Sequence, residues 1–360
     1  MKILIMANSS GGLYDFRGDL ISQLAKNNEI IVSTPDNEQL KDTIEELGCK
    51  LVYTSIQRRG MNPIKDFSLL KQYLKIIKNF KPDLVITYTI KPNIYGGIAC
   101  RILHIQYAAN ITGLGSAFQN NGLLKKLVIH MYKLSLKMAQ TVFFENIENK
   151  QILSDNKIIN EEQCCVLNGA GVNLEKFAKS PYPNNVTTRF LFIGRIMKEK
   201  GIDELLNAAK RIKEEYSNVF FDIVGPYEDN YEKIIKELEQ QGIVEYHGYQ
   251  EDVRPFIEKC HCFVLPSYHE GMANTNLECG AMGRPIITSS IHGCLEAVID
   301  GESGFLAEPR NSDDLYKKLK KFIELPYEKK TSMAKASHKH IADNFNKKDV
   351  VEKTIKRLFN

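Results

Sequence analysis

The sequence predicts no segment that would anchor or export the protein. No apolar run among its 360 residues approaches the roughly 20 residues that a helix needs to cross a bilayer. The apolar stretch that follows Lys2 is also too short for the core of a secretory signal peptide. We therefore expect a soluble protein of the cytoplasm.

Cysteine is sparse and scattered. The eight cysteines do not form a disulfide framework in a chain of this length, which fits a reducing compartment. The pairs Cys164–Cys165 and Cys260–Cys262 lack zinc spacing, so we expect them to be small buried side chains. A hydrophobic content of 43% and a charged content of 26% exclude disordered, collagenous and fibrous proteins. The length predicts two domains of roughly 100–200 residues each.

Acidic residues are almost missing from one long part of the chain. Residues 48–140 contain 14 Lys and Arg but only Asp66 and Asp83, a net charge of +12 in a protein whose total is +4. So uneven a charge predicts an anionic partner: a phosphate group, a lipid surface or a nucleic acid. Solvated lysines on ordinary helices are the alternative.

Short apolar strands alternate with longer segments of helical periodicity. Because the strands are continuously apolar, they predict parallel sheets buried on both faces, and the alternation is typical of doubly wound α/β domains. The predicted strands are 2–8, 29–35, 49–56, 83–89, 105–112, 141–146, 189–196, 218–225, 244–249, 261–267 and 284–290. The helical segments include 13–27, 66–80, 94–103, 122–139, 202–216, 327–344 and 346–358.

A segment rich in Pro, Asn and Thr, residues 180–188, interrupts this pattern and predicts a linker. We therefore expect two Rossmann-like doubly wound α/β domains, 1–180 and 188–345, that face each other across a cleft. The last helix, within 346–360, is expected to fold back on the first domain. Such sheets bind ligands beyond the carboxyl ends of their strands, so the residues in those turns are the candidate site.

Distinctive turns follow the first strand of each half. Gly11 and Gly12 precede a helix, where backbone N–H groups can approach an anion, although a tight turn alone would also use them. They lack the spacing of a dinucleotide fingerprint. The turn of the second half contains Gly194, Arg195 and Lys200, whose cations suit a diphosphate. A solvated basic loop is the alternative.

The most polar turn enters a helix between two acids. Glu270 and Glu278 have seven residues between them, and a carboxylate can accept hydrogen bonds from a pair of sugar hydroxyls. We expect Asn274 or Thr275 to cap the helix, and its first N–H groups to face an anion. These N–H groups belong to Asn274, Thr275 and Asn276.

Three further residues are weaker binding candidates. Gly225 and Tyr249 follow two other strands of the second half, where they could form a wall for a nucleobase, although each is an ordinary turn by itself. Gly271 adjoins Glu270 in the most polar turn.

Together these segments resemble the GT-B glycosyltransferases, specifically the large retaining family called glycosyltransferase family 4. The resemblance rests on EGMANTNLE, the basic loop GRIMKEKG, the loop GGLYDFR and the strand entry AMGRPIITS, which span nearly the whole chain in family order. The segments KPNIYG, ITGLGSAF and LPSYHEGMANTNLE are similar to bacterial enzymes that build capsule, O-antigen or lipid-linked oligosaccharides.

The resemblance implies both the reaction and the residues' roles. A HexNAc or uronic acid would move from a UDP-sugar to a polyprenyl-diphosphate-linked saccharide, with retention of anomeric configuration. Arg195 and Lys200 would hold the diphosphate and stabilise the leaving group. Glu278 would bind the ribose diol, Glu270 would orient the sugar, and Gly12 would complete the diphosphate contacts when the domains close.

Two expected features are missing from the sequence. No D-x-D signature follows a strand, so we expect the cations to suffice without a metal ion or cofactor. The first-domain histidine of many relatives has no clear counterpart, since His104 and His130 lie in predicted helix or strand-entry segments. Lys91 and Asn93, with the loop 113–115, are the candidates there instead.

The segment 122–139 combines an apolar stripe with lysines. This composition is typical of a helix at a membrane surface, where each lysine adds about 1 kcal/mol of attraction to an anionic leaflet. A core-facing amphipathic helix is an equal alternative. Because a lipid-linked acceptor lies at a membrane, we expect peripheral binding to the inner face of the cell membrane. The stripe comprises Leu123, Leu124, Leu127, Val128, Met131 and Leu134, and the lysines are Lys125, Lys126, Lys133 and Lys137.

Two other functions are compatible with the sequence. A non-hydrolysing UDP-sugar epimerase would use a similar fold without a lipid acceptor, and the basic stretch argues mildly against it. A nucleic-acid-binding protein would also carry this charge, but the interleaved aromatic residues and recognition motifs of that class are missing. No nucleic-acid partner is therefore expected.

Overall fold

The chain forms two compact units, each built on one parallel sheet. The first unit comprises Met1–Ala170 and Lys348–Asn360, and the second comprises Gly171–Lys347. The computed structural model describes residues 1–35, 38–57, 62–115, 118 and 122–359.

The first unit contains seven parallel strands. They are β1 (Lys2–Met6), β2 (Glu29–Thr34), β3 (Lys50–Tyr53), β4 (Leu84–Tyr88), β5 (Gln106–Ile111), β6 (Thr141–Phe144) and β7 (Cys164–Val166). Their order in the sheet is β3-β2-β1-β4-β5-β6-β7. The helices between them are α1 (Ser10–Ala25), α2 (Glu38–Glu46), α3 (Pro63–Phe80), α4 (Gly97–Leu103), α5 (Leu123–Leu136) and α6 (Ile147–Asp155).

The second unit contains six parallel strands. They are β8 (Thr188–Ile193), β9 (Val219–Val224), β10 (Glu245–Tyr246), β11 (Cys262–Leu265), β12 (Ile286–Ser289) and β13 (Gly304–Ala307), in the order β10-β9-β8-β11-β12-β13. The helices are α7 (Ile202–Glu215), α8 (Glu232–Gln240), α9 (Arg254–Lys259), α10 (Asn274–Ala281), α11 (Ser312–Glu324) and α12 (Tyr327–Asn344), and α13 (Lys347–Phe359) ends the chain. The prediction of two doubly wound α/β domains is confirmed.

The central strands are buried because their side chains are apolar on both faces. In β4, LVITY, every residue is buried, and β1 is buried from Ile3 to Met6. A sheet covered on both faces needs such strands. In the first unit, α3, α4 and α5 supply the core on one face of the sheet, and α1 and α13 supply it on the other.

Asparagines at loop ends start several helices. Asn62 accepts hydrogen bonds from the N–H groups of Ile64 and Lys65, and Pro63 takes the first helical position of α3, where no N–H is needed. Asn146 caps α6 through the N–H of Asn149. Each cap fixes the residue at which its helix begins.

The sequence prediction omits two short edge strands, β7 and β13. Strand β7 is only three residues long and half buried, so it is too short to stand out as a strand in the sequence. Strand β13 begins at Gly304, where an added Cβ would lie 1.9 Å from the carbonyl oxygen of Ile286. This close approach requires a glycine, which in sequence is typical of a turn. The predicted helix 94–103 is also divided, because a π-helical turn, Pro92–Gly96, precedes α4.

The predicted linker 180–188 packs on the second unit. Arg284 is fully buried, and its guanidinium donates hydrogen bonds to Ser180 Oγ at 2.7 Å and to the carbonyl of Pro181 at 3.0 Å. The two units divide between Ala170 and Gly171, ahead of this segment. A composition typical of linkers therefore belongs here to a packed segment.

Helix α13 lies in the first unit. Val350 and Leu358 join the core beneath α1. Gln140 Nε2 donates to the carbonyl of Leu358 at 3.1 Å, and Lys353 Nζ donates to the carbonyl of Val166 at 2.9 Å. The end of the chain is thus held by both apolar and polar contacts.

Helix α5 exposes most of its apolar stripe. Leu123 is 86% exposed, and Leu124 and Leu127 are also exposed, whereas Val128 is buried in the core. Across the described part of the chain, no helix combines the length and the apolar character needed to span a membrane.

Candidate active site

The second sheet reverses its winding between β8 and β11, which are neighbours in the sheet although they are far apart in sequence. The turn 194–201 follows β8, and the loop 266–273 follows β11. In open α/β sheets the crevice at such a reversal is where ligands bind. The two most polar turns of the sequence therefore lie side by side at this position.

Lys200 and Glu270 form an ion pair across this position. Lys200 Nζ donates to Glu270 Oε1, and both side chains are largely buried. Ser267 Oγ donates to the same oxygen at 2.7 Å. Among the described residues, all polar contacts to this carboxylate fall on Oε1. The structure thus brings together two residues that the sequence predicted separately.

Two predicted glycines allow the strands to meet closely at the same edge. Gly225 has φ +142°, and a Cβ there would lie 1.9 Å from the carbonyl oxygen of Gly194. The N–H of Gly194 donates to the carbonyl of Val224 at 3.0 Å. Only glycine fits position 225, so the turn that carries Arg195 rests directly on the end of β9.

Arg195 extends from this turn towards solvent. Its side chain is 41% exposed, and its guanidinium lies 3.5 Å from the carboxylate of Glu228. A partly exposed pair at this distance holds the guanidinium only weakly. The backbone of the turn is better fixed, because the N–H of Lys198 donates to Asp229 Oδ2 at 3.0 Å.

Helix α10 begins differently from the prediction. Its N-cap is Ala273, whose side chain cannot cap, so neither Asn274 nor Thr275 has the predicted capping role. The N–H of Asn276 donates to the carbonyl of Ala273 at 2.9 Å and is not free for an anion, which corrects the prediction for this group. The Asn276 side chain is fully buried and donates to Thr288 Oγ1 at 3.2 Å.

Glu278 lies one turn further along α10 and is half-buried. Its neighbours Leu277 and Cys279 are fully buried in the core. Gly271 lies in the loop before the helix, and its carbonyl oxygen would be 2.8 Å from a Cβ at Gly293. The loop 290–294 therefore packs directly on the turn of Glu270.

Tyr249 lies past the end of β10 and is 71% exposed. It follows Gly248, whose carbonyl accepts a hydrogen bond from the N–H of Gly225 at 2.8 Å. The two candidates for a nucleobase wall, Gly225 and Tyr249, thus belong to adjoining turns of one sheet edge.

A cluster with metal-ligand geometry lies on β9 and β10, formed by Asp222, Glu245 and His247. The guanidinium of Arg189 already donates to Asp222 at 2.8 and 2.6 Å and to Glu245 at 2.8 Å. His247 Nε2 lies 2.8 Å from Asp222 Oδ1. The guanidinium of Arg189 therefore binds both carboxylates, and we interpret the cluster as an ion-pair network and not as a metal site.

In the first unit, Gly11 and Gly12 lie inside the first turn of α1. Ser9 caps this helix and accepts a hydrogen bond from the N–H of Gly12 at 3.3 Å. The N–H of Gly12 is therefore used in capping the helix, and the approach of an anion to the backbone here stays a prediction. Both glycines nevertheless lie at the carboxyl end of β1, as expected.

Lys91 and Asn93 follow β4, the neighbour of β1, but both are buried. Lys91 Nζ pairs with Asp66 Oδ1 at 2.8 Å. The Asn93 amide accepts from Thr87 Oγ1 at 2.7 Å and donates to the carbonyl of Asn110 at 2.8 Å. The structure gives the Asn93 side chain a place in the core, and its predicted contact with substrate gains no support.

The two histidines considered in the first half are both exposed. His104 ends α4 in the left-handed conformation, and His130 lies on α5. Ser116 and Ala117 of the segment ITGLGSAF, and Arg58 and Arg59 of the basic stretch, lie outside the described residues.

Sequence reasoning missed three residues that contact the paired turns. Ser267 and Tyr268 lie within the segment LPSYHEG, so their position beside Glu270 was a signal that could have identified them. Glu204 is in the first turn of α7, where an acid is common, and its burial is visible only in the fold.

Family models match both units of this chain. The model for "Glycosyl transferase 4-like" matches residues 2–146, and the model for "Glycosyl transferases group 1" matches residues 175–340. With the fold and the paired turns, these matches define an enzyme of the glycosyltransferase class. The chain belongs to the group 1 glycosyltransferases, which confirms the family resemblance.

Curated relatives are similar over most of the chain. The N,N'-diacetylbacillosaminyl-diphospho-undecaprenol alpha-1,3-N-acetylgalactosaminyltransferase of Campylobacter jejuni is 29% identical over 345 residues, covering 90% of each chain. The UDP-Gal:alpha-D-GlcNAc-diphosphoundecaprenol alpha-1,3-galactosyltransferase of Escherichia coli is 28% identical over 324 residues, covering 84% of this chain and 81% of the relative. The capsular polysaccharide glycosyltransferase CapM of Staphylococcus aureus is 28% identical over 345 residues, covering 89% and 87%.

A solved structure confirms the GT-B fold. HepE of Anabaena, crystallised with UDP and glucose, superposes with a TM-score of 0.82 at 17% identity, covering 99% of each chain. This likeness concerns the fold alone.

Proposed function

We propose that this glycosyltransferase transfers a HexNAc or a uronic acid from a UDP-sugar to a polyprenyl-diphosphate-linked saccharide in the synthesis of a surface polysaccharide. The observation that carries the proposal is the pairing of Lys200 with Glu270 at the reversal of the second sheet, beside Arg195. The relatives of C. jejuni and E. coli support the acceptor class, because their names specify sugars on diphospho-undecaprenol. The name of the E. coli enzyme also specifies a UDP-sugar donor.

The diphosphate of the donor is assigned to the turn 194–201. Gly225 lets the ends of β8 and β9 meet closely at this turn, and Arg195 offers a planar guanidinium that, among the described residues, makes a weak pair with Glu228. As the bond between sugar and phosphate breaks, negative charge develops on the leaving UDP. Arg195 and Lys200 stabilise that charge, and this supports transfer without a metal ion.

The transferred sugar is assigned to Glu270 and the ribose to Glu278. Lys200 and Ser267 hold Glu270 through Oε1, so Oε2 is available to accept a hydrogen bond from a sugar hydroxyl. Glu278 is half-buried on α10, and it accepts from the ribose diol. The acceptor hydroxyl attacks the sugar on the face that UDP leaves, which retains the anomeric configuration.

The first unit is assigned to the acceptor and to an anionic membrane surface. Exposed apolar side chains occur at the N-terminal ends of both α3 and α5, where Ile64 is 84% and Leu123 is 86% exposed. Both helices cover the same face of the sheet and start at the carboxyl ends of its strands. Because lysines surround these residues, the surface suits an anionic leaflet that carries the lipid-linked acceptor.

A transfer assay tests this function. The full chain is incubated with radiolabelled UDP-GlcNAc, UDP-GalNAc or a UDP-uronate and a bacterial membrane extract, with and without EDTA. We expect label to move into the lipid-extractable fraction with one donor, equally in EDTA. Lys200→Met is expected to abolish the transfer, whereas the exposed Lys198→Met on the same turn is expected to keep it.

The other outcomes of this assay contradict the proposal in different ways. Conversion of the free UDP-sugar without label in lipid would indicate an epimerase. Loss of transfer in EDTA that Mg²⁺ restores would contradict metal independence. A product of inverted configuration by NMR would contradict retention.

A further inference from the structure

A second contact joins the two turns that carry Lys200 and Glu270. Tyr268 Oη lies 2.8 Å from each carboxylate oxygen of Glu204. Glu204 belongs to the first turn of α7, directly after the turn of Lys200, and is only 8% exposed. Tyr268 lies two residues before Glu270, so this hydrogen bond spans the same two chain segments as the ion pair.

The backbones of these segments are also in contact. The N–H of Tyr268 donates to the carbonyl of Glu199 at 2.9 Å. Gly201 has φ +70°, and a Cβ there would lie 2.0 Å from the carbonyl oxygen of Pro266. Position 201 therefore admits only glycine, and the two segments are in direct contact at this point.

The surroundings of Tyr268 keep its hydroxyl a hydrogen-bond donor. Burial, and then the hydrogen bond to Glu204, raise the pKa of Tyr268 well above its ordinary value, so the hydroxyl is protonated at neutral pH. The guanidinium of Arg310 lies 4.8 Å from the centre of the Tyr268 ring, which is a cation–π contact.

We propose that Tyr268 and Glu204 are positioning residues, which hold Glu270 at the correct distance and angle from Lys200 without contacting substrate themselves. The inference rests on the proposed function, in which Lys200 and Glu270 act on the UDP-sugar. The charged groups of Lys200 and Glu270 both lie at the ends of flexible side chains. The ion pair between them therefore does not fix the backbone of the loop that carries Glu270. The hydrogen bond from Tyr268 fixes that backbone two residues away.

The size of the effect follows from the chemistry of the bond. A hydrogen bond to a charged group is stronger than one between neutral groups, and a misplacement of about 1 Å at a reacting centre lowers the rate roughly a hundredfold. The bond acts on the geometry of the transition state more than on the affinity for the donor. Its loss should therefore lower kcat more than it raises KM.

Tyr268→Phe is the direct test, because it removes only the hydroxyl and keeps the ring beneath Arg310. We expect kcat to fall at least about tenfold while KM for the UDP-sugar changes less than about threefold. Glu204→Ala is expected to behave in the same way. Glu204→Gln keeps an acceptor for the hydroxyl and is expected to restore most of kcat.

The chain offers a matched control in Tyr231→Phe. Tyr231 Oη donates to Asp203 Oδ1 at 2.9 Å, so it makes the same type of bond to the residue that precedes Glu204 on α7. Tyr231 precedes α8 and does not belong to the loop of Glu270. We expect its kcat to equal that of the wild type.

The outcomes separate the inference from the function on which it rests. Wild-type kcat in Tyr268→Phe, or an equal loss in Tyr231→Phe, would overturn the positioning role. If Tyr268→Phe does not fold, the comparison of Glu204→Gln with Glu204→Ala decides, and equal kcat in these two variants would overturn it. No transfer by the wild type itself would contradict the proposed function instead.

Discussion

Truncation of Arg195 and truncation of Glu278 are expected to impair the enzyme in different ways. In the proposed function Arg195 stabilises charge that develops on the leaving UDP, so Arg195→Ala should lower kcat roughly a hundredfold. The proposal places Glu278 against the ribose before and during the reaction, so Glu278→Ala should weaken UDP-sugar binding about tenfold. Steady-state kinetics and calorimetry with UDP measure the two effects. Unchanged UDP affinity and kcat in both variants would contradict the site assignment.

The ion pair of Lys91 and Asp66 makes a residue-scale prediction about stability. Both side chains are buried, and Lys91→Met leaves a carboxylate in the core without its cation. We expect the free energy of unfolding to fall by about 3–5 kcal/mol, measured by urea denaturation. Lys91→Met with Asp66→Leu should recover much of this loss.

The exposed pair of Lys150 and Glu161 in the same unit provides the control for that prediction. Its atoms lie 2.6 Å apart, but the side chain of Glu161 is exposed to solvent. Lys150→Met should change the free energy of unfolding far less than Lys91→Met does, because solvent screens an exposed ion pair. Equal losses in Lys91→Met and Lys150→Met would show that the Lys91 pair is not buried in solution.

At the scale of elements, helix α5 makes a prediction about membranes. Its exposed leucines are expected to enter the interface of an anionic bilayer, which stabilises binding by burying apolar area. Leu123→Ser with Leu127→Ser should reduce recovery of the protein with anionic liposomes in flotation at low salt. Val186→Ser, which changes an exposed apolar residue of the second unit, should leave recovery unchanged. Equal recovery of the α5 variant and the wild type would contradict the assignment.

Elements with a strong local signal could be predicted from the sequence, and elements that depend on distant neighbours could not. Strand β4 has aliphatic or aromatic side chains at four of its five positions, so its burial on both faces is visible in five letters. Strand β13 starts with a glycine that the neighbouring strand requires, and the same letter in sequence indicates a turn. The start of α10 was predicted wrongly for a related reason. The N–H of Ala273 donates to the carbonyl of Gly293 at 2.7 Å, and this distant contact sets where the helix begins.

The residues of the candidate site also divide into those that a local sequence signal identifies and those that depend on distant neighbours. Lys200 and Glu270 could be placed at one sheet edge because the carboxyl ends of parallel strands meet there. Their direct pairing, and the support from Glu204, depend on how two turns pack, which no local pattern encodes. Asn93 was predicted at the site from its place after a strand, but Thr87 and Asn110 on neighbouring strands draw its amide into the core.

At the scale of the whole molecule, the charges of the two halves differ in a way that fits their assigned substrates. Residues 48–140 carry a net charge of +12 in a chain whose total is +4. This excess of cations supports the proposal that the first unit binds an anionic surface, and the remainder of the chain offsets that charge. In the second unit, the turn 194–201 contains Arg195, Lys198 and Lys200, and the proposed function places the diphosphate there.

The most direct measurement of the central claim compares UDP with UMP by calorimetry. If Lys200 and its turn bind the second phosphate, the wild type should bind UDP at least about tenfold more tightly than UMP, a difference of about 1.4 kcal/mol. Lys200→Met should remove most of that difference and leave the affinity for UMP unchanged. Equal binding of UDP and UMP by the wild type, or an undiminished preference for UDP in Lys200→Met, would contradict the account.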